Sequence, residues 1–155
     1  MINFLDLQIT DIGQLNEIKR AVNKVIESGW YLNGEELRAF EEDFSAYCSV
    51  EGCVGVANGL DALKLSLMAW KEMGLLKNGD EVLVPGNTFI ASVLAILQSG
   101  LKPVIVDPEP NSYLISIKGV KKNISHRSKV IMPVHLYGQM VDMKSLVDFS
   151  KSNNL

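Results

Sequence analysis

From Cys53 onward, short apolar runs alternate with stretches of helical periodicity, and this alternation constrains the fold more than any other feature of the chain. The runs are CVGVA, EVLVP, PVIVD and KVIMPV. Between and after them the spacing predicts helices over Leu60 to Met73, Thr88 to Ser99, a short stretch near Val120, and Asp142 to Asn153. Runs without polar alternation suit strands covered on both faces, and intervening helices make such strands parallel. The expectation is an α/β fold, a mostly parallel open sheet with flanking helices, over residues 51–155. Residues 1–50 read as leading helices. Thr10 or Asp11 caps the first, whose Leu15, Ile18, Val22 and Ile26 recur at helical spacing before Gly29 ends it. Glu35 to Tyr47 forms the second, with Leu37, Phe40, Phe44 and Tyr47 on one face.

Composition narrows the function classes. A chain of 155 residues that is 47% hydrophobic has material for a substantial core. Its net charge of −3 and dispersed basic residues, densest at Lys118, Lys121 and Lys122, argue against nucleic acid and against a membrane surface. No apolar run reaches the ~20 residues of a spanning helix. The opening MINFLDLQITD carries acids where a secretory signal carries bases, so the expected compartment is the cytoplasm. Cys48 and Cys53, without a denser framework, read as reduced, packed thiols. No His/Cys cluster has metal-ligand spacing, so no metal is expected.

In open parallel sheets, ligands sit beyond the carboxyl ends of the strands. That directs attention to NGLDAL, PGNTF, DPEPNSY and HLYGQ. Asn58 and Gly59 end an apolar run and open a helix, leaving the N–H groups of Leu60, Asp61 and Ala62 without intrahelical acceptors. Those donors and the helix dipole make a phosphate cradle, which Gly59 lets a ligand approach closely. The alternative is that Asn58 is simply an N-cap. Leu60, Leu63, Leu67 and Trp70 would fasten this helix to the sheet. Neither GxGxxG nor GxxxxGK[ST] occurs, which removes a dinucleotide fingerprint and a Walker A loop. Phe89, in PGNTF, would stack on a planar heteroaromatic cofactor, or would be a core phenylalanine opening a helix capped by Asn87.

The blocks GWYLNGEELRAFEEDFSAYC, GVANGLDALKLSL, GDEVLVPGNTFIASVLAIL, PVIVDPEPNSYLI and IMPVHLYGQMVDM, in this order, resemble the amino-terminal part of the DegT/DnrJ/StrS-type sugar aminotransferases, fold type I pyridoxal-phosphate enzymes. The resemblance covers nearly all of residues 1–155, and implies an incomplete amino-terminal part of the large domain. It places the phosphate of pyridoxal 5'-phosphate on Gly59, Leu60 and Asp61 and the cofactor ring at Phe89. Many relatives have Thr where this chain has Leu60, so the cradle here would rely on backbone donors. Tyr31 and Asn33 match a loop near the nucleotide-sugar substrate, and VHLYG brings His135 and Tyr137 near the pocket floor. A hydrogen-bonded structural role for His135 stays open. His126 reads as a turn residue, and Trp30 and Trp70 as packing residues.

The implied activity is amino transfer from glutamate to a nucleotide-linked keto-deoxysugar in amino-sugar and polysaccharide biosynthesis, by a homodimer. The alternatives are a sugar dehydratase of the same family, which uses histidine in place of the lysine, and a non-catalytic binding fragment. In the family the cofactor-binding lysine and the acid paired with the pyridine nitrogen lie downstream, beyond Leu155, so no catalytic residue is assigned here. None of Lys64, Lys71, Lys77, Lys102, Lys118, Lys121, Lys122 or Lys129 sits at a strand end facing the pocket. The chain alone is therefore expected to be inactive, with weak or absent cofactor binding. It is also expected to expose apolar surface and strand edges, and so to self-associate or to pair with the missing half.

Overall fold

The computed structural model describes residues 11–155, so the alternative cap Thr10 lies outside the described residues. The chain divides between Gly55 and Val56 into two compact units.

The first unit holds α1 (Ile12–Ser28) and α2 (Glu35–Cys48). Asp11 caps α1 by accepting from the Gln14 N–H at 2.7 Å, and Gly29 ends it at φ 68°, a conformation that favours glycine. Glu35 and Glu36 place negative charge at the amino end of α2, where the helix dipole favours it. Lys24 Nζ donates to Glu36 Oε1 at 2.7 Å, linking the two helices. The Phe40 and Phe44 rings stack at 5.6 Å, but neither helix contains a buried residue. Trp30 does not enter a core either; it lies under the Arg38 guanidinium, 5.3 Å away. Cys48 and Cys53 are free thiols, and Cys48 is exposed rather than packed because its helix has no buried face.

CVGVA, expected as a strand, forms no ladder. Val54 is 80% exposed, and the Gly55 N–H donates to Glu41 Oε1 at 2.6 Å. An apolar run becomes a strand only where a neighbour supplies the other half of its hydrogen bonds, and no described strand does.

The second unit contains α3 (Gly59–Glu72), β1 (Glu81–Pro85), α4 (Ile90–Gln98), β2 (Lys102–Val106), α5 (Ile117–Asn123), β3 (Ser128–Ile131) and α6 (Met143–Ser152). Its parallel sheet has the order β2-β1-β3. All five residues of β1 are buried, as expected for a central parallel strand. Val82 and Val84 pack on one face with Leu67, Ile96 and Leu101, the side of α3 and α4. Leu83 points to the other face and joins Val106, Val120 and Leu146, the side of α5 and α6. Each of these fully buried aliphatic side chains contributes about 1.5–3 kcal/mol. Of the residues expected to fasten α3, Leu67 is buried, whereas Trp70 is 42% exposed. KVIMPV yields only a short strand, with one further ladder bond from Met132 N–H to Leu83 O at 2.8 Å, since Pro133 has no N–H to donate. No described helix is long and apolar enough to cross a membrane.

At the amino end of β1, Glu81 is buried at 4% exposure. Its carboxylate accepts from Ser125 Oγ at 2.5 Å, Lys102 Nζ at 3.1 Å and Arg127 Nη2 at 3.2 Å. The Ser125 hydroxyl foremost, then Lys102 and Arg127, outweigh burial and draw the Glu81 pKa down to about 2.

Candidate functional site

The strand order β2-β1-β3 reverses direction at β1: the chain leaves β1 for β2 on one side and then crosses back to β3 on the other. Helices consequently cover both faces, and the carboxyl ends of the strands at the reversal are where open α/β sheets place their ligands. The loops after β1, β2 and β3 carry Asn87 and Phe89, Tyr113, and His135 and Tyr137 respectively.

The amino end of α3 opens toward the same side. Lys71 Nζ, in the last turn of α3, donates to Ser99 O at the end of α4, 2.7 Å away. The two packed helices therefore run in parallel, and both begin at the carboxyl edge of the sheet.

Three first-turn donors of α3 were expected to be open, and only one of them is. Asn58 Oδ1 accepts from the Asp61 N–H at 2.9 Å, and Asn58 O accepts from the Ala62 N–H at 3.0 Å. The fourth residue after a cap already reaches the cap carbonyl, and the third is what an asparagine cap satisfies. Gly59 and Leu60 keep N–H groups with no hydrogen-bond partner among the described residues. Asp61 also accepts from Asn58 Nδ2 at 3.1 Å, so cap and first turn hold each other. A Cβ built on Gly59 meets nothing within 4 Å, which leaves open space over these donors.

Phe89 is no core residue. It is 77% exposed and is itself the N-cap position of α4, with extended backbone at φ −61° and ψ 142°. Asn87, the alternative cap, turns away and donates from Nδ2 to Tyr113 O at 2.9 Å. Thr88 Oγ1 and Ser92 Oγ, 2.7 Å apart, tie down the turn that presents the Phe89 ring.

His135 is exposed, and its Nδ1 accepts from the Val141 N–H at 3.1 Å. In the neutral imidazole the proton then sits on Nε2. Tyr137, at φ 55°, meets the ring of Tyr113, at φ 60°, edge-on at 5.9 Å. Sequence reasoning marked DPEPNSY and PGNTF as segments but singled out neither Tyr113 nor the Asn87 link. Their only sequence signal is their place in the loops that follow strands.

Tyr31 and Asn33 belong to the first unit, in the turn between α1 and α2. Tyr31 Oη donates to Ile26 O at 3.4 Å, and Asn33 adopts φ 50°. His126 is exposed in the turn before β3, as expected.

Two free donors at the amino end of a fourteen-residue helix, open space above them and an exposed aromatic ring on the same sheet edge fit a planar cofactor that carries a phosphate. Gly59 and Leu60 would hold the phosphate and Phe89 would lie against the ring.

The family model described as the DegT/DnrJ/EryC1/StrS aminotransferase family matches residues 14–155. The dTDP-3-amino-3,6-dideoxy-alpha-D-galactopyranose transaminase of Aneurinibacillus thermoaerophilus is 49% identical over 155 residues, 100% of this chain and 42% of the relative. Among solved structures, S. venezuelae DesV in complex with a ketimine intermediate superposes with a TM-score of 0.89 at 39% identity, covering 99% of this chain and 40% of that one. NtdA from Bacillus subtilis, solved with the bound cofactor PMP, gives 0.83 at 30% identity over 94% of this chain and 32% of that one. The chain thus spans well under half the length of these relatives.

Proposed function

The chain belongs to the DegT/DnrJ/EryC1/StrS aminotransferase family, and from that premise we propose that it contributes the amino-terminal part of the large domain of a pyridoxal-phosphate-dependent sugar aminotransferase. Residues 1–50 are its leading helices and residues 51–155 its alternating β/α segment. The acceptor is a nucleotide-linked keto-deoxysugar, the donor glutamate, the working form a homodimer, and the compartment the cytoplasm. One observation carries the reading: the unpaired N–H groups of Gly59 and Leu60 open on the same sheet edge as the exposed Phe89 ring.

Pyridoxal phosphate, when bound, supplies the electron sink for amino transfer. Gly59 and Leu60 donate backbone N–H groups to its phosphate, and the helix dipole adds to that attraction. Asp61 holds Asn58 in the orientation that keeps those two donors pointing outward. Phe89 covers one face of the ring. His135, with Nδ1 occupied, presents Nε2–H to a substrate oxygen. The transaminase relatives at 40–49% identity support the reaction class.

The test is a pyridoxal-phosphate titration of wild type and Gly59→Ala, followed by absorbance. A Cβ at Gly59 has room in the fold, so it acts on the ligand. Affinity should fall about tenfold. Unchanged affinity in Gly59→Ala would sink the assignment of the phosphate to this turn, and no spectral response of the wild type at millimolar cofactor would count against even residual binding by this chain. Glutamate-dependent amination of nucleotide-linked keto sugars by the protein isolated from its native source then tests the reaction.

A further inference from the structure

Among the described residues, a single buried side-chain polar atom has no hydrogen-bond partner, Asn87 Oδ1. A buried acceptor left unpaired costs stability, so the residue that bears it is explained by what its other end does. That other end, Nδ2, donates to Tyr113 O in the loop that follows the neighbouring strand β2.

Tyr113 sits on a built turn. The Glu109 N–H donates to Leu114 O at 2.9 Å, the Tyr113 N–H to Glu109 O at 2.8 Å, and Ser116 Oγ to Glu109 Oε1 at 2.6 Å. Leu114 and Ile115, immediately after it, are anchored in the core. Tyr113 itself takes the left-handed conformation, which non-glycine residues hold only when the surroundings enforce it. Its carbonyl is held by Asn87 and its ring by Tyr137, also left-handed. Asn87 lies two residues before Phe89, so its side chain joins the loop carrying Phe89 to the loop carrying Tyr113. The carboxamide cannot turn over, because Oδ1 would then face the Tyr113 carbonyl, acceptor against acceptor.

We propose that Asn87 is a positioning residue of the candidate site: its carboxamide locks the β2–α5 loop against the Phe89 loop and holds the Tyr113–Tyr137 ring pair in place. Its consequence for cofactor affinity rests on the pyridoxal-phosphate reading. The link itself does not.

The experiment compares the 155-residue chain with Asn87→Asp and Asn87→Ala by hydrogen exchange over residues 107–116 and by pyridoxal-phosphate titration. At about pH 8 the carboxylate of the first variant repels the Tyr113 carbonyl, and exchange should quicken about tenfold over wild type at the same pH. At about pH 3.5, below the ordinary ~3.9 of an aspartic acid, the protonated carboxyl can donate in place of Nδ2, and exchange should return toward the wild-type rate at the same pH. Asn87→Ala should show the quickening without the acid rescue, and both variants should bind the cofactor more weakly at about pH 8. Wild-type exchange in both variants at about pH 8 would overturn the proposal, as would quickening without acid rescue in Asn87→Asp. Loss of far-UV circular dichroism in both would also overturn it, by making Asn87 a residue of the whole fold. A wild type that ignores pyridoxal phosphate would show that this chain alone lacks residual cofactor binding, while the exchange rates would still decide the role of Asn87.

Discussion

Replacing Glu81 by Gln tests the buried ionic network at the amino end of β1. The carboxylate accepts from Ser125, Lys102 and Arg127, with Ser128 Oγ a further 3.4 Å contact. Lys102 and Arg127 are each 54% exposed, so their ion pairs are screened and contribute about 0.5 kcal/mol apiece. The short Ser125 bond to a charged acceptor contributes about 1.5 kcal/mol or more. Glu81→Gln keeps the shape and loses the charge, and should cost about 2–3 kcal/mol at neutral pH. The pH dependence follows from the same contacts. The folded pKa, about 2, lies below the ordinary 4.5 that the unfolded chain approaches. The unfolded state therefore binds the extra proton, and the stabilisation is full above about pH 4.5 and drains away as the pH falls toward 2. Urea unfolding of both proteins, followed by far-UV circular dichroism, should show the wild-type advantage at about pH 7 and a much smaller one near pH 3. Other carboxylates titrate in both proteins and cancel in the difference. An advantage below about 0.5 kcal/mol at neutral pH, or one unchanged near pH 3, would refute the reasoning. Pyridoxal-phosphate affinity should not change, since Glu81 lies at the opposite end of its strand from the candidate site.

Leu83→Ala removes a fully buried side chain from the α5/α6 side of the sheet and should cost about 3 kcal/mol in the same urea titration. Gly119→Ala should lower the thermal midpoint through a loss of about 1–3 kcal/mol, because the new Cβ would stand 2.8 Å from Cγ1 of fully buried Val106 and 3.2 Å from Asp107 O. Gly86→Ala is the matched control: its Cβ would meet Ile105 Cγ2 at 2.9 Å, but Ile105 is 49% exposed and can rotate away, so its midpoint should fall less.

What the sequence by itself determined is local. Helix spacing, the caps at Asp11 and Asn58, the Gly29 stop and the buried run EVLVP are all written within a few residues, because capping and periodicity act over one or two turns. That Gly59, Leu60 and Phe89 sit where short motifs open helices was legible for the same reason. Even there, local reading counted Asp61 and Ala62 as open donors, although the cap occupies both. Only the tertiary structure decided which apolar runs become strands. CVGVA and EVLVP look alike, yet the second pairs on both sides and the first on neither, because a ladder needs partners that composition does not supply. The order β2-β1-β3 then created the contacts no local pattern announces. It brought Asn87 to Tyr113 and Ser125 and Arg127 to Glu81, and it set Tyr113 against Tyr137 in conformations neither residue adopts unaided. These contacts depend on loops being carried to one edge of one sheet, and it is the crossover between strands that carries them there.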